Sequence, residues 1–170
     1  MIQKKICMVG VHGTGKTCLV QQFVHSIFSV KYLSTVGVKI DRKEVKVGDT
    51  DVTLMLWDLE GRDGTHDVSS SYLRGAHGVI LVADGTRKDT VDQLGDLRRI
   101  VNESAGDVPS IVALNKTDLT AEWKLSQSDE AAAGGADLHR VRTSAKTGDG
   151  VEPVFQWLAE ATLSQPEKTQ

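Results

Sequence analysis

The chain has 170 residues, 39 % hydrophobic and 25 % charged, which is the make-up of one globular domain with a filled core and not of a disordered or fibrous protein. Twenty Lys and Arg against twenty-three Asp and Glu leave a net charge of −3, which argues against a nucleic-acid partner because such proteins carry a basic excess. The longest apolar run, Val79 to Ala83, falls far short of the roughly 20 residues of a membrane-spanning helix, and the N-terminus has too few apolar residues for a secretory signal. Two cysteines, Cys7 and Cys18, without CxxC spacing make neither a disulfide framework nor a zinc site, so a reducing, cytoplasmic setting is expected.

In chain order, Ile6 to Val9 is a continuous apolar stretch, the mark of a parallel strand buried on both faces. A glycine-rich loop follows, then a helical pattern of Leu19, Val20, Phe23 and Val24. Gly48-Asp49, between Val45–Val47 and Asp51–Thr53, predicts a hairpin that pairs two strands antiparallel. Asp51 to Trp57 alternates, with Val52, Leu54 and Leu56 on one side and Thr53, Met55 and Trp57 on the other. Val79 to Ala83 and Ile111 to Leu114 predict two more buried strands. Val91, Leu94, Leu97 and Val101 predict a helix between them. Ser126 to Asp137 reads as a short exposed helix ended by Gly134-Gly135. Val151, Val154, Phe155, Leu158 and Ala161 predict a last helix. Strands alternating with helices mean a layered α/β fold, whose ligands sit at the carboxyl ends of the strands. One domain over residues 1–163 is expected, followed by a short polar tail over 164–170.

The first of those loops, Gly10-Val11-His12-Gly13-Thr14-Gly15-Lys16-Thr17, matches GxxxxGK[ST] in full, after a strand and before a helix. Its glycines let successive N–H groups turn inward onto phosphate oxygens. Lys16 adds a point charge for the β- and γ-phosphates, Thr17 a hydroxyl for Mg²⁺, and the helix N-terminus its partial positive charge. Cys18 follows as either a backbone donor to phosphate or an acidified thiol. At the tip of the Ile111–Leu114 strand stands Asn115-Lys116-Thr117-Asp118. A carboxylate at Asp118 accepts from the ring N1–H and the exocyclic amine of guanine, whereas adenine would leave it buried and unpaired. The loop therefore selects guanine and speaks against a phosphate-loop kinase or ATPase. Thr143-Ser144-Ala145-Lys146 follows the last strand, where the Ala145 N–H can reach the guanine carbonyl.

With these motifs, and with Tyr32–Val38, Trp57-Asp58-Leu59-Glu60-Gly61 and Ser70–Gly78, the chain resembles the Ras superfamily of small GTPases, Rab proteins most closely, from Lys5 to about Ala161. The resemblance implies a three-layer P-loop NTPase fold, the Ras-like G domain, with a six-stranded, mostly parallel sheet, one antiparallel edge strand and about five helices. It implies GTP, GDP and Mg²⁺ as ligands, and an effector, an exchange factor and a GTPase-activating protein as partners of a monomer. By the same resemblance Thr35 gives its hydroxyl to Mg²⁺ and its N–H to the γ-phosphate, Asp58 holds the metal through water, and the Gly61 N–H touches the γ-phosphate. Phe28 either packs on the guanine or belongs to the core. Ile40, Trp57 and Tyr72 match an apolar trio that Rab proteins use against effectors, plain packing being the alternative.

The chain departs from that pattern around the reacting phosphate, where Lys16, Thr35, Gly61, Arg62 and His12 would meet. Arg62 stands where the family has a glutamine that orients the attacking water. A guanidinium has five donors and no acceptor, so Arg62 cannot accept from that water, although its charge suits the γ-phosphate. His12 replaces a usually small residue and either crowds an incoming arginine finger or assists proton transfer. Glu60 adds an acceptor nearby. Slow intrinsic hydrolysis is expected, with a GTP-binding interaction module lacking turnover as the alternative. No cysteine lies beyond residue 18 to carry a prenyl anchor, so either an unanchored protein or the GTPase domain of a longer one is expected.

Overall fold

A computed structural model of the chain describes residues 2–29, 37–59 and 70–166. Its strands are β1 (Ile2–Val9), β2 (Val38–Val47), β3 (Thr50–Leu59), β4 (Gly78–Asp84), β5 (Ser110–Asn115) and β6 (His139–Arg142). They form one sheet in the order β2-β3-β1-β4-β5-β6. Only β2 and β3 pair antiparallel; the other neighbours are parallel. The hairpin between them turns at Gly48, whose φ of 59° suits a residue without Cβ. Every residue of β4 and β5 is buried, which is why these strands read as unbroken apolar runs.

Among the described residues the helices are α1 (Lys16–His25), α2 (Ser70–Leu73), α3 (Lys88–Asp92), α4 (Leu94–Ala105), α5 (Gln127–Ala132) and α6 (Val151–Leu163), five if α3 and α4 are taken together across Gln93. α1 and α6 cover one face of the sheet, where Phe23 and Phe155 stack at 4.0 Å between ring centroids against Leu54, Leu56 and Ile80. The other face packs Leu81, Ala83 and Val112 against Leu73, Leu94, Leu97 and Val101. The single helix expected from Val91 to Val101 is interrupted at Gln93, but this residue keeps helical dihedrals (φ −82°, ψ −11°). All four periodic residues therefore stay on the buried side. α5 is short and exposed, as its sequence suggests. Ser126 and Asp129 exchange side-chain and backbone hydrogen bonds at its start, and Gly134 follows its end with φ 73°.

Candidate nucleotide site

The carboxyl ends of β1, β3, β4 and β5 meet at one edge of the molecule. There β1 runs into the phosphate loop and then α1. Two glycines of that loop are demanded by their surroundings: a Cβ on Gly10 would strike the carbonyl oxygen of Val82, and one on Gly15 the side-chain nitrogen of Asn115. Gly15 also sits at φ 97°. Lys16 is 6 % exposed and folds back inside, its Nζ donating to the Gly10 and Val11 carbonyls at 3.0 Å each. Burial pulls its pKa down to about 8; Asp58 opposes that shift and Arg87 adds to it. A buried ammonium held by neutral carbonyls gains most from an anion.

Next to it, the Thr17 hydroxyl donates to Asp58 Oδ2 at 2.5 Å, with Asp58 buried at the end of β3. Among the described residues no three His, Cys, Asp or Glu side chains cluster as a metal cage. A hydroxyl beside a carboxylate nevertheless fits Mg²⁺, which takes few protein oxygens and fills its shell with water and phosphate.

The loop after β5 reaches across to the phosphate loop. Asn115 is 1 % exposed; its Nδ2 donates to the Thr14 carbonyl at 3.0 Å, and its Oδ1 accepts from the Thr143 hydroxyl at 3.1 Å and the Ala145 N–H at 3.3 Å. Lys116, at φ 73°, sends Nζ to the Gly13 carbonyl at 3.0 Å and to Asp84 Oδ2 at 2.8 Å. Asp118 Oδ1 accepts from the buried Ser144 hydroxyl at 2.7 Å, and that hydroxyl accepts in turn from the Thr147 N–H. Three loops distant in the chain thus form one hydrogen-bonded unit.

The model of the Ras family matches residues 5–164. Rab-1 of Theileria parva is 36 % identical over 161 residues, covering 92 % of this chain and 73 % of the relative. SEC4 of Saccharomyces cerevisiae is 32 % identical over 157 residues with the same shares, and Rab-1A of Dictyostelium discoideum 31 % over 172 residues, 97 % of this chain and 85 % of the relative. The chain belongs to the Ras family.

It is a Rab-like small GTPase of that superfamily, with a Ras-like G domain. Members of the family bind guanine nucleotides with Mg²⁺, are GTPases, and interact with effectors, exchange factors and activating proteins. In this Ras-family chain Thr35, Glu60, Gly61 and Arg62 lie outside the described residues. His12 is half-buried in the phosphate loop, and its carbonyl accepts from Arg87. Burial raises the Cys18 pKa, with Lys116 lowering and Asp58 raising it, so the thiol is not acidified. Phe28 is 39 % exposed and does not belong to the core. Lys146 is exposed, beside Ala145 whose carbonyl accepts from Gln22. Ile40 lies opposite Trp57 across the β2–β3 pair and is 46 % exposed, while the Trp57 and Tyr72 rings lie 6.4 Å apart, so the trio forms one patch. No helix among the described residues is long and apolar enough to cross a membrane.

Two residues of this GTPase site escaped the sequence reading. Asp84 ends β4 opposite Asn115 and accepts from the Thr86 N–H and hydroxyl, Arg87 and Lys116. Burial alone would raise its pKa, but the Lys116 and Thr86 hydrogen bonds more than offset this and hold the carboxyl below its usual value. An acid at the end of a wholly apolar run was the signal for it. Arg87 carried none, because its contact with the phosphate loop is to a backbone carbonyl.

Proposed function

We propose that this chain is a cytoplasmic, monomeric GTP-binding switch that holds Mg·GTP or Mg·GDP at the strand tips and hydrolyses GTP slowly. The observation that carries the reading is the clasp of the phosphate loop by the base-reading loop, Asn115 on the Thr14 carbonyl and Lys116 on the Gly13 carbonyl. That clasp ties the loop of Asp118, the carboxylate that would select guanine, to the loop that would cradle phosphate. In this reading Gly13, Thr14, Gly15, Thr17 and Cys18 donate backbone N–H groups to the phosphates, and Lys16 neutralises their charge. Asp118 takes the guanine N1–H and amine, the Ala145 N–H takes its carbonyl, and Phe28 covers its ring. Ser144 steadies Asp118, and Lys146 lines the rim. Thr17 and Thr35 would give hydroxyls to Mg²⁺ and Asp58 would hold it through water; the bound ion would supply neutralisation of phosphate charge.

Gly61 would be tied down through the γ-phosphate, and Thr35 through the γ-phosphate and Mg²⁺ together, so both segments would lose a tie once that phosphate leaves, and hydrolysis would become a conformational signal. Effectors would read that signal beside the Ile40, Trp57 and Tyr72 patch, where aromatic anchors are available. Arg62 lacks the acceptor needed to orient water, and His12 replaces a usually small residue of the phosphate loop; both support a low rate. The same two residues favour a second reading, an interaction module whose bound GTP serves fold and docking without turnover.

The nucleotide carried through purification, identified by chromatography, should be GDP or GTP. Mg·GDP should raise the melting temperature while Mg·ATP leaves it unchanged; the reverse pattern would sink the proposal. Single-turnover hydrolysis should be slow, and Arg62→Gln should speed it roughly 10-fold or more, as a positioned water requires. Phosphate release that stays absent with candidate activators present would favour the module.

A further inference from the structure

Three consecutive carbonyls of the phosphate loop are each held from outside by a side-chain donor. His12 O accepts from Arg87 Nη2 at 2.9 Å, Gly13 O from Lys116 Nζ at 3.0 Å, and Thr14 O from Asn115 Nδ2 at 3.0 Å. The peptide bonds among the described residues are all trans. In a trans peptide the C=O and the following N–H point in opposite directions. Pulling these three carbonyls outward therefore turns the N–H groups of Gly13, Thr14 and Gly15 inward. Lys116 and Asn115 belong to the base-reading loop. Arg87 comes from a different element, the turn between β4 and α3, and completes the row at its open end.

Arg87 is itself fixed. Its Nε donates to Asp84 Oδ2 at 3.2 Å, the oxygen that also holds Lys116 Nζ at 2.8 Å, and its N–H donates to the Asp84 carbonyl at 3.0 Å. One buried carboxylate thus sets both cations. The guanidinium is suited to this because its fork serves Asp84 and His12 with separate N–H groups, whereas an ammonium is a point donor. We propose that Arg87 is a positioning residue of the nucleotide site: by holding the His12 carbonyl it keeps the Gly13 N–H aimed at the phosphate chain. This rests on the guanine-nucleotide reading above and adds a third strut to it.

The test compares wild-type protein with Arg87→Ala and Arg87→Lys. Three quantities are read: the Kd for Mg·GDP, the Gly13 amide resonance, and the ³¹P resonance of the bound β-phosphate. Arg87 is partly exposed and belongs to neither core cluster, but Arg87→Ala removes a donor to the buried Asp84 and should melt somewhat lower without nucleotide, so all three quantities are read well below the melting temperature of each protein. Both variants should weaken Mg·GDP about 10-fold, the size expected for one charge-assisted hydrogen bond, and should move both resonances. Wild-type affinity and resonances in both variants would overturn the assignment. So would full recovery in Arg87→Lys, which would leave charge and not the fork as the cause. Wild-type protein that takes up Mg·ATP and not Mg·GDP would overturn the guanine reading and this assignment with it.

Discussion

Lys16 sits in surroundings that folding by itself does not favour. Burial brings its pKa down to about 8 from 10.5, so between those values the unfolded chain binds more protons than the folded one. Stability of the nucleotide-free protein should therefore rise as the pH goes from about 8 to about 10, the reverse of a lysine that gains a salt bridge. Lys16→Met should abolish that rise in denaturation midpoints and remove the thermal shift produced by Mg·GDP; a midpoint curve that keeps the wild-type slope would contradict the assignment. Asp84 runs the other way. Its folded pKa is depressed, so its contribution is present above about 4 and fades as the pH falls towards the folded value. The midpoint difference between wild type and Asp84→Asn should shrink between pH 5 and pH 3. Asp118 is the discriminating residue in the proposed pocket, and Asp118→Ala should weaken GDP binding by roughly 100-fold or more, since two hydrogen bonds to a carboxylate are lost together.

The turn that carries Arg87 and the loop that carries Asp118 are braced by one aromatic. Trp123 lies against Gly85, directly after β4, where a Cβ would run into the indole ring. Its Nε1 donates to Glu130 at 3.0 Å, and the Arg142 guanidinium sits 5.2 Å from the ring while pairing with the same carboxylate at 2.6 Å. The Lys124 N–H adds a bond to the Gly85 carbonyl at 2.9 Å. Trp123→Ala should cost about 2 kcal/mol, less than a fully buried ring because Trp123 is half-exposed. It should also weaken Mg·GDP, which a purely local packing role would not do; denaturation and titration of the same variant separate the two. Nothing in the sequence marked this brace. Trp123 lies in a polar stretch without periodicity, and its partners come from the turn after β4, from α5 and from β6, parts that only folding brings together. The helix from Val91 to Val101 was readable as to which side it buries, but not as to its interruption at Gln93, because the break leaves the angular repeat intact.

For the molecule as a whole, strand alternation and two loop motifs sufficed to indicate the architecture, since buried parallel strands must be continuously apolar and loops at their carboxyl ends must bind whatever is bound. Composition and motif likewise determined that the phosphate loop needs glycines at 10 and 15, a cation at 16 and a hydroxyl at 17, because those requirements are local to eight residues. The three-dimensional arrangement decided what local pattern cannot carry. Asp84 is a hub shared by Lys116 and Arg87, the His12 carbonyl is held by an arginine 75 positions further along the chain, and Phe28 lies outside the core. Each of these depends on which strand tips become neighbours in the sheet order, and a hydrogen bond to a backbone carbonyl leaves no trace in the identity of the residue that accepts it.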